Sequence, residues 1–217
     1  MTSRVYHKTM LVTERGHRLH NDMNRLCILV ESISVAIQMN LGKSYDFKQG
    51  DSTAFASSVF DQVINMPLFG PVLFALTNRT PDRIEFELAH YAGMPESIPP
   101  GQKLVTGLQK VIPMAFSPVF VEFFERHRPW LENDRPSRWD WSPMMNFASV
   151  VRNALSHDGK IKIKGKNPAP AQWYHLSYGA SDDGKEIISV DIEPADLVLL
   201  MFEMSDELDK LGCPISP

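Results

Sequence analysis

The sequence predicts a mainly α-helical protein: an up-and-down helical bundle with a small antiparallel β-hairpin or three-stranded meander inserted before the last helix. Three observations lead to this fold class. Residues 26–37 form an almost uncharged apolar run inside a long helix expected over 17–40, residues 142–159 are an amphipathic stretch with helix start and stop signals, and residues 160–192 change to a two-residue period. We therefore expect a single domain over 1–217, divided into a helical bundle (1–159), a β insertion (160–192) and a terminal helix (193–212).

Composition limits the classes of protein that this chain can represent. Its 217 residues are 43% hydrophobic and 22% charged, which suits a globular domain with a sizeable core. The net charge of -4 argues against a protein that coats nucleic acid, although the charge is uneven: residues 168–217 hold 2 Lys/Arg against 10 Asp/Glu, and residues 1–167 hold 20 against 16. Cys27 and Cys213 lack metal-ligand spacing, and the N-terminus lacks the apolar core of a signal peptide. We expect a cytoplasmic protein with no metal, no cofactor and no membrane partner.

Helical spacing predicts the elements of the first two thirds. A helix is expected from His17 to about Asn40, followed by a helical pattern at Phe55, Val59, Val63 and Met66. Turn-forming residues at 77–102 surround a possible short helix at 84–91, and another helix is expected over 103–127.

A loop predicted at 128–141 mixes three arginines with three tryptophans. Arg and aromatic side chains interleaved in this way can stack single-stranded bases. The alternative, which the acidic residues of the same loop favour, is that the tryptophans fix the loop to the core.

The stretch 142–159 carries the most information. Ser142 is a helix N-cap, Pro143 occupies the first helical position, and Gly159 ends the segment. One face is apolar, and the other has neither a carboxylate nor a lysine, which suits a polar surface covered by a partner, a ligand or another helix. That polar face consists of Asn146, Ser149, Arg152, Asn153, Ser156 and His157.

The β insertion begins with lysines at alternate positions. Lys160, Lys162, Lys164 and Lys166 would lie on one face of a strand, with further strands at 173–178 and 186–192. Such lysines either protect a sheet edge or bind phosphates. The terminal helix from Pro194 has an ordinary charged face, so the uncharged face of 142–159 is not a general habit of the chain.

An Arg and a His at the end of an uncharged face can cleave RNA without a metal. His157 can take the proton of a 2'-hydroxyl, and Arg152 can stabilise the charge that develops on the phosphate. Asn153 lies four residues before His157 and could orient the imidazole or a phosphate oxygen. On an ideal helix Arg152 and His157 would flank a groove, and a two-fold dimer could bring two sets of side chains around one phosphate.

The segment Arg152-Asn153-Ala154-Leu155-Ser156-His157, followed by a Gly turn, resembles the Arg-polar-x-x-x-His motif of HEPN domains. These are all-α bundles that usually dimerise, and many are metal-independent endoribonucleases of toxin, anti-phage and RNA-processing systems. The resemblance implies that Arg152 and His157 act at a dimer groove with help from Asn153, that RNA is the substrate, and that the chain forms a homodimer and has an antitoxin-like partner protein. Further RNA contacts are expected from Lys160, Lys162, Lys164, Ser156 and Asn146.

Two other interpretations stay open. The dipeptide His157-Asp158 occurs in HD-type metal phosphohydrolases, which would need His90 or His127 and Asp191 or Asp206 as further ligands. A non-enzymatic helical dimerisation or binding module would use the polar face as its interface. A second Arg-x-x-x-x-His string, Arg15 to His20, shows that the spacing alone is not specific.

Overall fold

A computed structural model of the chain describes residues 5–40, 42, 48, 50–68, 70–90, 105–163, 165 and 167–215. For residues 105–114 it describes the backbone only. Its contacts divide the chain into two compact units, Met1–Ala115 and Phe116–Pro217. The division falls inside a long helix, for which the sequence gives no boundary signal. The single domain over 1–217 stays a prediction, because two contact clusters do not establish independent folding.

The N-terminal unit is built on a four-stranded antiparallel sheet. Its strands are β1 (Met10–Glu14), β2 (Ser52–Ala56), β3 (Gln62–Pro67) and β4 (Arg83–His90), in the spatial order β1-β4-β3-β2. Helix α1 (His20–Asn40) contacts three of these strands, and the short helix α2 (Pro71–Leu76) contacts α1.

Two predicted helices of this unit are strands. In β4 the buried residues alternate as Ile84, Phe86 and Leu88, and in β3 Gln62, Ile64 and Met66 do the same. The period is therefore two, which fits one covered face of an antiparallel sheet. The helical spacing at 55, 59, 63 and 66 was coincidental, and the prediction of helices at 55–66 and 84–91 is wrong.

The C-terminal unit contains the last part of helix α3 (Val105–Asp134), helix α4 (Pro143–Leu155) and helix α5 (Pro194–Lys210). A short hairpin of β5 (Ala171–Trp173) and β6 (Leu176–Tyr178) packs against α4. The loop predicted from residue 128 begins only after Asp134, because α3 continues through Arg128 and Trp130. A 3-10 turn at Arg138–Asp140 then leads into α4.

The β insertion at 160–192 is smaller than expected. Residues 173–178 are the turn and one arm of the hairpin rather than a single strand. The described residues of the predicted strands at 160–166 and 186–192 form only the isolated bridges Lys160 with Glu186 and Ile188 with Ile192. Buried Ile161 and Ile187 hold these segments in place without a continuous ladder.

The predicted mainly α-helical up-and-down bundle is wrong. Helices occur in both units, but a four-stranded antiparallel sheet and a two-stranded sheet make the protein α+β. Strand formation in the first 90 residues is the reason, because the segments expected as helices at 55–66 and 84–91 overlap strands β2, β3 and β4 of the sheet. Within the described ranges, no helix is long and apolar enough to cross a membrane.

Candidate functional site at the end of helix α4

Helix α4 starts as its sequence signals predict. The Ser142 side chain accepts a hydrogen bond from the backbone N–H of Met145 at 3.1 Å, and Pro143 follows the cap. The first half of the polar face is covered: Asn146 and Ser149 are buried, and Asn146 donates to the carbonyl oxygen of Arg138 at 2.9 Å. Asn146 therefore fixes the preceding 3-10 turn to α4, and its contact with RNA stays a prediction.

The apolar face of α4 is held by aromatic packing. Phe147 is fully buried and stacks on Tyr178 of β6, with ring centroids 5.2 Å apart and planes 14° apart. The Trp173 ring of β5 also packs against the Phe147 ring, with the two centroids 5.7 Å apart. The hairpin thus sets how α4 is rotated, and its rotation directs the Arg152 and Asn153 side chains away from this packed face.

Arg152 is engaged by two side chains of the same unit. Its Nη1 donates to Asn153 Oδ1 at 3.0 Å, and its Nε lies 2.5 Å from Glu125 Oε1, a residue of α3. The Arg152 side chain is 24% exposed and that of Glu125 is 37% exposed, so water screens this ion pair only in part. The predicted cooperation between Arg152 and Asn153 thus has a geometric counterpart, whereas Glu125 was not foreseen.

Glu125 belongs to a chain of alternating charges. Arg128 Nη1 lies 3.6 Å from Glu125, Arg128 Nε lies 2.7 Å from Glu132 Oε1, and Arg138 Nη2 lies 4.0 Å from the same Glu132 atom. The spacing of 125, 128 and 132 places all three on one face of α3. With Arg152 this cluster has three guanidinium groups and two carboxylates, so one positive charge is in excess.

Arg138 connects the charge cluster to the tryptophans of the segment 128–141, which was predicted to be a loop. Its guanidinium lies 3.7 Å from the ring centroid of Trp141, which is buried and donates from Nε1 to the Arg135 carbonyl oxygen at 2.8 Å. Burial, and then the nearby Arg128 cation, lower the pKa of Arg138. Trp141 therefore fixes the segment to the unit, while Trp139 is 58% exposed and is left as a surface aromatic.

His157 does not lie on the helix. α4 ends at Leu155, and the backbone N–H of His157 bonds to the Ala154 carbonyl oxygen at 2.9 Å within a turn. The expectation that Asn153 and His157 share a helical face therefore does not hold in this geometry. His157 is exposed, and among the described residues no contact joins it to Arg152 or Asn153.

The turn that carries His157 is nevertheless fixed. Asp158 and Gly159 have φ values of 53° and 77°, in the left-handed region, and Gly159 N–H bonds back to the Ala154 carbonyl oxygen at 2.9 Å. A Cβ at Gly159 would lie 3.3 Å from Ile188 Cβ, and Ile187 N–H donates to the Gly159 carbonyl oxygen at 2.9 Å. The backbone after His157 is thus held by residues almost 30 positions later.

The other predicted RNA contacts are distributed around this turn. Ser156 is exposed and its hydroxyl donates to the Arg152 carbonyl oxygen at 3.3 Å. Lys160 and Lys162 are exposed on either side of buried Ile161, as the alternation predicted. Lys164 lies outside the described residues.

The second Arg-x-x-x-x-His string has a structural explanation. Arg15 pairs with Asp82 at 2.7 Å and donates to the Thr80 carbonyl oxygen at 2.7 Å, which closes the end of the β1–β4 pair. His20 is buried, with Nε2 2.7 Å from the Pro81 carbonyl oxygen. This copy therefore serves the sheet of the N-terminal unit.

The metal phosphohydrolase interpretation gains no ligand set. Within the part of the chain that the structure describes, no three His, Cys, Asp or Glu side chains are grouped so that they could hold a metal ion. His127 is buried, with Nδ1 2.9 Å from the Phe123 carbonyl oxygen of its own helix, and Asp191 accepts from the Tyr178 hydroxyl at 3.0 Å.

The fold and the site together define an α+β protein with a partly neutralised basic cluster at the end of α4 and an exposed histidine in the turn that follows. Comparison of the chain with protein-family models, with curated proteins and with solved structures finds no match.

Proposed function

We propose that the surface formed by Arg152, Asn153 and His157 binds an RNA phosphate and that the protein, although its fold is α+β and not an all-α bundle, is a metal-independent endoribonuclease that uses the chemistry of the HEPN motif as a homodimer. The observation that carries the proposal is the position of Arg152. It ends a face without carboxylates, it is oriented by Asn153, and it belongs to a cluster with an excess positive charge. The exposed His157 follows in a turn whose backbone is fixed.

The chemistry requires no group other than these side chains. His157 as the neutral imidazole takes the proton of the 2'-hydroxyl, and the resulting oxygen attacks the adjacent phosphorus. Arg152 stabilises the additional negative charge on the phosphate oxygens. The bond to the 5'-oxygen breaks, and that oxygen takes a proton from the imidazolium of the second copy in the dimer. The products are a 2',3'-cyclic phosphate and a 5'-hydroxyl.

Glu125 must move away from Arg152 before a phosphate can bind there. A carboxylate oxygen now lies beside Arg152, where a phosphate oxygen would have to bind. When the phosphate replaces it, Glu125 retains a cation, because Arg128 already lies 3.6 Å away. The exchange therefore leaves no carboxylate unpaired, which keeps its cost low.

The test is cleavage of single-stranded RNA by the purified full chain, with and without EDTA. We expect cleavage that survives EDTA, leaves 2',3'-cyclic phosphate ends, and is lost in Arg152→Ala and in His157→Ala. Arg15→Ala is the matched control, because it changes the same motif string in the other unit and should leave cleavage unchanged. Cleavage that depends on a divalent metal, or that persists in His157→Ala, would contradict the mechanism.

A second candidate is a non-enzymatic RNA-binding or dimerisation module. It is favoured by the ion pair with Glu125, because a neutralised Arg152 is less able to stabilise a transition state than a free one. RNA binding that is lost in Arg152→Ala and unchanged in His157→Ala, without cleavage of any RNA, would establish this module instead.

A further inference from the structure

A cavity of about 470 Å³ lies in the N-terminal unit. Its volume falls within the ~300–1,000 Å³ range of small-molecule sites. Helices α1 and α2 and the first part of β4 surround it, with walls that include Asn24, Cys27, Pro67, Phe74, Ile84 and Glu85. Most of this wall is apolar, and Phe74, which is 39% exposed, presents an aromatic ring at the surface.

The cavity contains an open edge of the sheet. Leu68 N–H donates to the Asp51 carbonyl oxygen, so the backbone groups of the even-numbered residues of β3 are hydrogen-bonded to β2. The backbone groups of the odd-numbered residues, including Pro67, are therefore directed toward β4. The register pairs Asn65 with Glu87, which puts Glu85 opposite Pro67, and the β3–β4 pairing ends before that position. Proline has no N–H, so the carbonyl oxygen of Glu85 lacks the donor that a continued ladder would supply.

A second acceptor belongs to the same wall. Asn24 Oδ1 is buried, and in the described part of the chain it has no hydrogen-bond donor. A buried acceptor without a donor is unfavourable, so a ligand that donates to it gains affinity.

The charges at this cavity disfavour anions. Arg83 is bound by Glu14 at 2.6 Å and by Glu85 at 2.5 Å, so one cation is matched by two carboxylates. Cys27 adds no charge, because burial, followed by the nearby Glu31, raises the pKa of its thiol well above the usual value and keeps the thiol neutral. An anionic ligand would therefore meet an excess negative charge.

We propose that this cavity binds a small planar aromatic amine or amidine, with its ring against Phe74 and Ile84 and its N–H groups donating to the Glu85 carbonyl oxygen and to Asn24. The apolar wall selects the ring, the two acceptors select the N–H groups, and the carboxylates exclude acidic analogues. This site is independent of the proposed RNA chemistry, because all of its residues belong to the N-terminal unit.

The experiment measures binding of benzamidine, adenine and benzoate to the full chain by isothermal titration calorimetry. We expect saturable binding of benzamidine and adenine, and at least tenfold weaker binding of benzoate, which has the size of benzamidine but is anionic and has no N–H. Equal affinities for benzamidine and benzoate, or no binding of either amine, would overturn the proposal.

Three variants locate the binding. Phe74→Ala should weaken benzamidine binding by about fivefold or more, because a ring contact is lost. Pro67→Val restores the N–H opposite Glu85, lets the ladder continue, and should reduce binding to the level of benzoate. Leu76→Ala is the matched control, since Leu76 is on the same helix and 80% exposed but is not part of the wall. Thermal unfolding curves check that both variants are folded. If benzamidine binding is unchanged in folded Phe74→Ala and in folded Pro67→Val, the assignment is refuted.

Discussion

Replacing Glu125 by Gln should strengthen the binding of single-stranded RNA. The change keeps the size of the side chain but removes the charge that lies 2.5 Å from Arg152 Nε. A partly exposed ion pair is worth roughly 0.5–1 kcal/mol, and RNA must displace this pair when it binds Arg152. Because about 1.4 kcal/mol corresponds to a tenfold change, the Kd should fall by about two- to fivefold.

The assay is fluorescence anisotropy of a labelled single-stranded RNA, with His157→Ala as the background so that no cleavage occurs. Glu132→Gln is the matched control: Glu132 pairs with Arg128 and Arg138 but does not contact Arg152. Arg152→Ala should weaken binding and lower the slope of log Kd against log salt by about 0.7, the value for one phosphate contact of a single strand. If Glu125→Gln binds RNA no better than Glu132→Gln does, the exchange of carboxylate for phosphate at Arg152 is refuted.

Three further predictions concern the stability of the C-terminal unit. Gly159→Ala should lower the free energy of unfolding by about 1–2 kcal/mol, the cost of a side chain in the left-handed region. In urea titrations this loss should exceed that of Gly184→Ala, because a Cβ at position 159 would contact Ile188 and a Cβ at position 184 would not. Phe147→Ala should cost about 3–5 kcal/mol, since this ring is fully buried in an aromatic stack, and a loss below 1 kcal/mol would contradict that packing. Burial, and then the neighbouring Asp196, raise the pKa of Glu193, so its ionised form costs the folded state stability at neutral pH. Glu193→Gln should therefore raise the melting temperature at pH 7, and this gain should disappear as the pH falls below the ordinary Glu pKa of about 4.3; a gain that persists at pH 3 would show that charge is not the cause.

Helices with strong local signals were predictable from the sequence. α1, α4 and α5 have long helical periods, and the N-cap Ser142 and the first-turn proline Pro194 mark where two of them begin. These signals are local, because hydrogen bonds four residues apart and a capping side chain are specified within one segment.

The sheet was not predictable with the same rules. Residues 84–88 alternate Ile, Glu, Phe, Glu and Leu, but Glu, Leu and Ala at 87–89 are also good helix formers. The pairing of β4 with β1 joins positions 69 to 77 residues apart. The role of Glu125 was not predictable from the sequence for a similar reason. Only tertiary packing brings α3 beside the end of α4, so the partner of Arg152 has no signature near the motif.

The turn after α4 has a consequence for protein synthesis. Helix α4 has only 13 residues, and a helix of that length is marginal by itself in water. It is therefore fixed once the hairpin residues Trp173 and Tyr178, on which Phe147 packs, have left the ribosome. The bonds that fix the following turn come from residues 184–188, among them the one from Ile187 N–H to the Gly159 carbonyl oxygen. During translation the nascent chain therefore has its Arg152 helix before it has a fixed His157, and the candidate site is completed only when the segment up to Ile188 has emerged.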